Sequence, residues 1–170
     1  VTSRVNGSRE SITNTQNSLT HLFQRVDASH VKVDTTRTSL TGTGGKIDIG
    51  KSSVGHGRYG GTFIWRSPEL ELNDVGFLRQ ADEIRQYSFI SHQTLKPFGY
   101  FRRINTRFEQ YSSHDFEGNY NRMQYSLNGN ANLKSNWNMN AQIVYKPRIY
   151  TNTISGISMI SISAVHHASR

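Results

Sequence analysis

From Met123 to Leu133, apolar or small residues take every odd position: Met123, Tyr125, Leu127, Gly129, Ala131 and Leu133. The even positions from 122 hold Arg122, Gln124, Ser126, Asn128, Asn130 and Asn132. After Lys134-Ser135-Asn136 the alternation resumes, with Trp137, Met139, Ala141, Ile143 and Tyr145 set against Asn138, Asn140 and Gln142. Successive side chains of a strand point to opposite faces. The pattern therefore predicts a long antiparallel hairpin over 120–145, with one apolar face and one amide-rich face. A half-buried soluble sheet has that form. So does the wall of a transmembrane β-barrel, which meets lipid outside and water inside.

Further strands are predicted upstream. Ile47 and Ile49 alternate with Lys46, Asp48 and Gly50 after a Gly/Thr-rich stretch. Tyr59, Gly61, Phe63 and Trp65 alternate with Arg58, Thr62 and Arg66, up to a break at Ser67-Pro68. Strand character returns over 84–95 through Tyr87, Phe89 and Ile90. It returns again over 98–111, where Ile104, Thr106 and Phe108 face away from Arg103, Asn105, Arg107 and Glu109. Residues 67–83 are irregular and too long for a tight turn. Residues 1–30 read as a polar N-terminal segment, with weak helical spacing, no clear cap and one short strand expected near His21–Arg25. The Ile/Ser-rich tail, 151–170, offers one more strand. The sum is an all-β antiparallel meander of about six or seven strands. Several exceed the length of about 5–6 residues usual in soluble sheets, which favours the barrel wall.

Composition agrees. Hydrophobic residues are 34% and charged residues only 19%, and mean hydropathy is −0.63. Amides, hydroxyls and glycine fill the difference, as in a barrel with a polar interior and long loops. No run of about 18 apolar residues predicts a transmembrane helix, a result that does not bear on strands. There is no cysteine, so disulfides and thiolate chemistry are excluded. The chain starts on Val1 without an apolar leader, and its tail lacks a terminal aromatic, so it reads as a piece of something longer. The net charge is +8, but Lys and Arg are scattered and only Arg102-Arg103 is adjacent. A nucleic-acid partner is therefore not expected.

Candidate chemistry is sparse. Gly45 to Ser52 matches the phosphate-loop pattern G-x-x-x-x-G-K-S. That chemistry needs a helix after the Lys, whereas Ser53-Val54-Gly55-His56-Gly57 cannot propagate one. The seven histidines show no metal-ligand spacing. Glu69, Glu71, Asp74, Asp82 and Glu83 are acids in an irregular segment, where spacing alone cannot define a glycosidase pair. No Gly-x-Ser-x-Gly elbow occurs. No catalytic residue, cofactor site or metal site is predicted.

Val33-Asp34-Thr35-Thr36-Arg37-Thr38-Ser39-Leu40, Trp65-Arg66-Ser67-Pro68, and Leu72-Asn73-Asp74-Val75-Gly76-Phe77-Leu78-Arg79-Gln80-Ala81-Asp82 occur in that order. The series resembles the C-terminal barrel region of a family of large, uncharacterised bacterial outer-membrane proteins. Such proteins usually carry an N-terminal domain similar to family 9 carbohydrate-binding modules. The resemblance covers about residues 20–150 and departs after Ser67-Pro68, where Glu69-Leu70 replaces a Gly and an aromatic. It implies an outer-membrane location, with a lipid bilayer and the remainder of a larger barrel as partners and oligosaccharide as a further candidate. No segment here corresponds to the carbohydrate-binding domain, and no catalytic residue is carried over.

The expectation is thus a fragment of an outer-membrane β-barrel, not an enzyme, serving transport, binding or anchoring linked to glycan use. Asp74, Arg79 and Asp82 are expected to make the irregular segment a structural or gating element. Arg122, Gln124, Asn128, Asn130, Asn132, Asn138, Asn140 and Gln142 are expected to face the lumen. The alternatives are a soluble all-β carbohydrate-binding module, stacking sugars on Trp65, Tyr59 and Trp137, and a basic nucleic-acid-binding sheet.

Overall fold

A computed structural model describes residues 1–25, 28–51, 55–72, 78–147 and 159–166. The fold is all-β. Eight strands form one antiparallel meander in the order β1 to β8. They are β1 (Thr2–Asn6), β2 (Ser39–Lys51), β3 (Gly57–Arg66), β4 (Glu83–Gln93), β5 (Phe101–His114), β6 (Tyr120–Leu133), β7 (Trp137–Tyr145) and β8 (Met159–His166). The sheet is open, with β1 and β8 at its edges.

Two findings correct the reading of the N-terminal segment. First, Thr2–Asn6 is a strand, paired with β2 from Thr2↔Thr43 to Asn6↔Ser39. Its alternation is written in Thr, Ser, Arg and Asn, with Val5 the only strong strand former. Second, Arg9–Gln16 is a helix, α1. Ser8 caps it, accepting from the Ser11 amide at 3.1 Å, and Glu10 suits the positive end of the helix. Its buried face is Ile12 and Gln16, one turn apart. Gln16 replaces an apolar residue there by pairing with the Asp34 backbone at both amide ends, at 3.0 and 2.7 Å. The strand expected near His21–Arg25 is a turn. Leu22 has φ +49°, which an extended chain cannot accommodate.

The hairpin predicted over 120–145 is formed by β6 and β7. Leu127 pairs with Ile143, Asn128 with Gln142, Asn130 with Asn140 and Asn132 with Asn138. The connection 134–136 has three residues, and Asn136 takes φ +63°, where Asn is tolerated. The Ile/Ser-rich end supplies β8, which pairs along β7 from Val144↔Met159 to Trp137↔His166.

Contacts divide the chain into two compact units. The first is Val1–Ile47, Phe63–Arg85 and Ser113–Asn121; it holds α1 and the loops. All the fully buried apolar side chains among the described residues are here: Ile12, Phe23, Val31, Leu40, Leu70, Leu78 and Ala81. The second is Asp48–Thr62, Gln86–Ser112 and Arg122–Arg170. Its side chains alternate between two faces. On one face Thr62 bonds Asp48, Phe89 lies against Gly60, and Glu109 joins Tyr87, Arg107, Ser126 and Asn128. On the other, Phe108 stacks on Tyr125 and Tyr125 on Tyr145. By alternation Ile49, Tyr59, Ile90, Leu127, Met139, Ile143 and Ile162 share that second face, and all are exposed, Ile49 at 71% and Ile162 at 76%.

Candidate functional site

The connection from β3 to β4 is the irregular segment singled out in the sequence. Pro68 cannot donate to a ladder, so β3 stops before it. Leu70 then folds back and is buried over β2. Gly42 and Gly44 admit it. A Cβ at Gly42 would stand 2.2 Å from the Leu70 nitrogen, and one at Gly44 would stand 2.6 Å from a Leu70 methyl. Both glycines lie on the side of β2 opposite Gly45, over which Trp65 packs.

Polar contacts fasten the described parts of the segment on either side of 73–77. Glu69 takes two parallel bonds from the Arg37 guanidinium, 2.7 and 2.8 Å, and a third from the Thr41 amide. Burial opposes the Glu69 charge, but these donors outweigh it and hold the carboxyl below its usual range. The Leu70 carbonyl accepts from His21 Nε2 at 3.0 Å, and the Ser18 hydroxyl therefore donates to Nδ1 at 3.1 Å. Burial pushes His21 down against the pull of Glu71, so the imidazole is held neutral. Leu78 and Ala81 join Leu70 in one apolar cluster.

Asp82 closes the segment. It is 1% exposed and adopts φ +52°. Its carboxylate accepts from Arg25, from His30 Nε2 at 3.0 Å and from the Phe116 amide at 3.0 Å. The other His30 nitrogen faces Glu117 at 3.3 Å, and Ser29 also bonds Glu117. Burial opposes a charge on His30, but two carboxylates facing its two nitrogens prevail and raise its pKa. Next in sequence, Glu83 binds Arg66 at 2.7 Å, Arg85 at 2.8 Å and Ser113 at 3.0 Å.

Of the three residues expected to organise the segment, Asp82 is its hub. Arg79 is exposed and makes no hydrogen bond or ion pair with a described residue, and Asp74 lies outside the described residues. The residues that complete the hub were not singled out from sequence: Arg25, His30 and Glu117 lie far apart in the chain, in loops with no periodicity. Glu69, Asp82 and Glu83 are each held by arginine as carboxylate anchors. The phosphate-loop pattern runs along β2, extended through Lys51, so its amides alternate in direction and cannot converge on a phosphate.

The residues expected to face a lumen all share one side of the second unit. Arg122 lies 5.2 Å over the Tyr111 ring and bonds Gln124 at 3.1 Å. Asn128, Asn130 and Asn132 meet Gln142, Asn140 and Asn138 across the ladder, and the Asn140 amide donates to Asn130 at 2.5 Å. Of the aromatics named for sugar stacking, Trp65 is packed over Gly45, while Tyr59 and Trp137 are exposed.

The sequence matches the family described as "domain of unknown function (DUF5916)" over residues 2–160. The chain belongs to that DUF5916 family. No curated protein matches it, and no solved structure does.

Proposed function

We propose that this DUF5916 chain forms a section of an outer-membrane β-barrel wall, with segment 67–82 folded onto its inner side as a structural or gating element. The observation that carries this reading is the sorting of side chains in the second unit. One face of successive strands carries most of the exposed aliphatic side chains, with polar groups such as Ser88 and Gln110 among them on β4 and β5. The opposite face carries amides, hydroxyls and paired charges. A soluble sheet with this sorting would bury the apolar face. Lipid is the solvent that such a face suits. Strand length agrees: β2 to β7 have 9 to 14 residues each, and about 9–11 tilted residues cross a bilayer. The anchoring of Leu70 over Gly42 and Gly44 supports the role of the inserted segment. Irregular backbone at membrane depth requires protein partners of this kind.

The test is extraction. The full chain should leave bacterial membranes only with detergent and should migrate faster on gels before heating than after. A monomer that stays soluble without detergent overturns the reading, and retention of such a monomer on glycan columns would favour a carbohydrate-binding module.

A further inference from the structure

The polar face of the second unit is unevenly charged. It carries four guanidiniums, Arg58, Arg103, Arg107 and Arg122, against two carboxylates, Asp48 and Glu109. Glu109 is surrounded by donors: Tyr87 at 2.7 Å, Arg107 at 2.8 Å, Ser126 at 3.1 Å and Asn128 at 3.5 Å. Arg107 spends its positive charge on that carboxylate and on the Phe89 ring, 4.0 Å away. The other guanidiniums meet only neutral groups. Arg103 donates to the Gln93 carbonyl oxygen at 2.8 Å and Arg122 to that of Gln124 at 3.1 Å. Arg58 is exposed, with no partner among the described residues. On β7 and β8 this face adds no charged residue among the described ones; beside Val144 it adds amides and serines, Asn138, Asn140, Gln142, Ser161 and Ser163, which solvate ions of either sign.

From this distribution we infer that the polar face selects small anionic solutes, of the carboxylate or phosphate class, over cations. The inference rests on the barrel-wall reading, in which this face lines an aqueous path. Like charges on one low-dielectric wall raise the local concentration of counter-ions. A guanidinium held by a neutral amide keeps its field and its remaining donors for a passing anion.

The test uses the full chain inserted in planar bilayers under a potassium chloride gradient at low salt. A wall potential of about half to one kT favours chloride over potassium by about threefold to sevenfold. Arg103→Glu with Arg122→Glu should abolish or reverse that preference, and Arg103→Gln with Arg122→Gln should reduce it. Arg102→Glu, on the opposite face of β5, should leave it unchanged. A preference for potassium in the native chain, or a chloride preference that survives the double Gln variant, overturns the inference and leaves the barrel-wall reading standing. Absence of conductance from membrane-inserted protein overturns the water-lined path itself.

Discussion

Asp82 illustrates how one carboxylate can hold three stretches of chain together. Arg25, His30 and the Phe116 amide all converge on it. Removing it leaves a guanidinium and an amide without their acceptor, which costs more than a single bond contributes. Asp82→Ala should lower unfolding stability by roughly 2–3 kcal/mol, read by urea titration in detergent, while Arg79→Ala at its exposed position should stay within about 0.5 kcal/mol. Equal effects from the two would remove Asp82 from its place as hub. His30 makes the same junction sensitive to pH. Its pKa is raised in the folded chain, so its contribution is fully present below the unfolded value of about 6.5 and is lost as pH rises through the raised value. Glu117 opposes this from the acid side. Hydrogen bonds from Ser29 and His30 lower its pKa, so its contribution is present above about 4.3 and fails as pH falls through the lowered value. His21, held low by burial, loses stability below about 6.5, but does so with or without His30. The comparison of native chain with His30→Gln therefore isolates His30. The native advantage in melting temperature should be largest near about pH 5.5 and should shrink above neutrality. A difference that does not vary with pH would contradict the assignment.

At the scale of elements, the close approach of the 67–82 segment to β2 depends on two missing side chains. Gly42→Ala places a methyl group 2.2 Å from the Leu70 nitrogen, far inside van der Waals contact, so the segment must lift. A cost of about 1–3 kcal/mol is expected. The variant should also be cut faster by protease between Ser67 and Leu72, while Gly57→Ala, which meets nothing within 4 Å, should not be. Equal cutting of both variants and the native chain would show that Leu70 does not pin the segment. This contact also marks the limit of what the sequence reveals. The 120–145 hairpin was legible in its strands, faces and connection, because strict alternation on both sides of a three-residue break leaves few other arrangements. The break at Pro68 was legible from proline chemistry alone. By contrast, β1 escaped notice because it is five residues long with no buried position, and α1 registered only as weak helical spacing because Gln16, a hydrogen-bonded amide, fills one of its two buried positions. The Asp82 hub was only partly legible. The acid could be picked out from its irregular surroundings, but Arg25, His30 and Glu117 reach it through long-range loop geometry that no local pattern encodes.

At the scale of the molecule, the question is which solvent the apolar face meets. Leu127 and Asn128 make the sharpest comparison, since they are neighbours near the middle of β6 and point to opposite faces. In water both faces are solvated. Leu127→Arg and Asn128→Arg would then behave alike, each within about 0.5 kcal/mol of the native chain. In a bilayer the two diverge. An Arg at the midplane on the lipid side of a barrel costs about 2–4 kcal/mol, whereas one on the inner side remains hydrated. At position 128 it would also approach Glu109, to which Asn128 already donates at 3.5 Å. The proposed wall therefore predicts a strong asymmetry. Leu127→Arg should sharply reduce the heat-modifiable, membrane-inserted fraction and lower stability in lipid vesicles by about 2–4 kcal/mol, while Asn128→Arg should insert like the native chain. Repeating the pair with Ile143→Arg and Gln142→Arg, which face those residues across the ladder, separates the effect of the face from that of a single strand. The same asymmetry in both strands places lipid on the Leu127–Ile143 side. Symmetric, small effects in both would mean that water reaches both faces and that the wall reading is wrong.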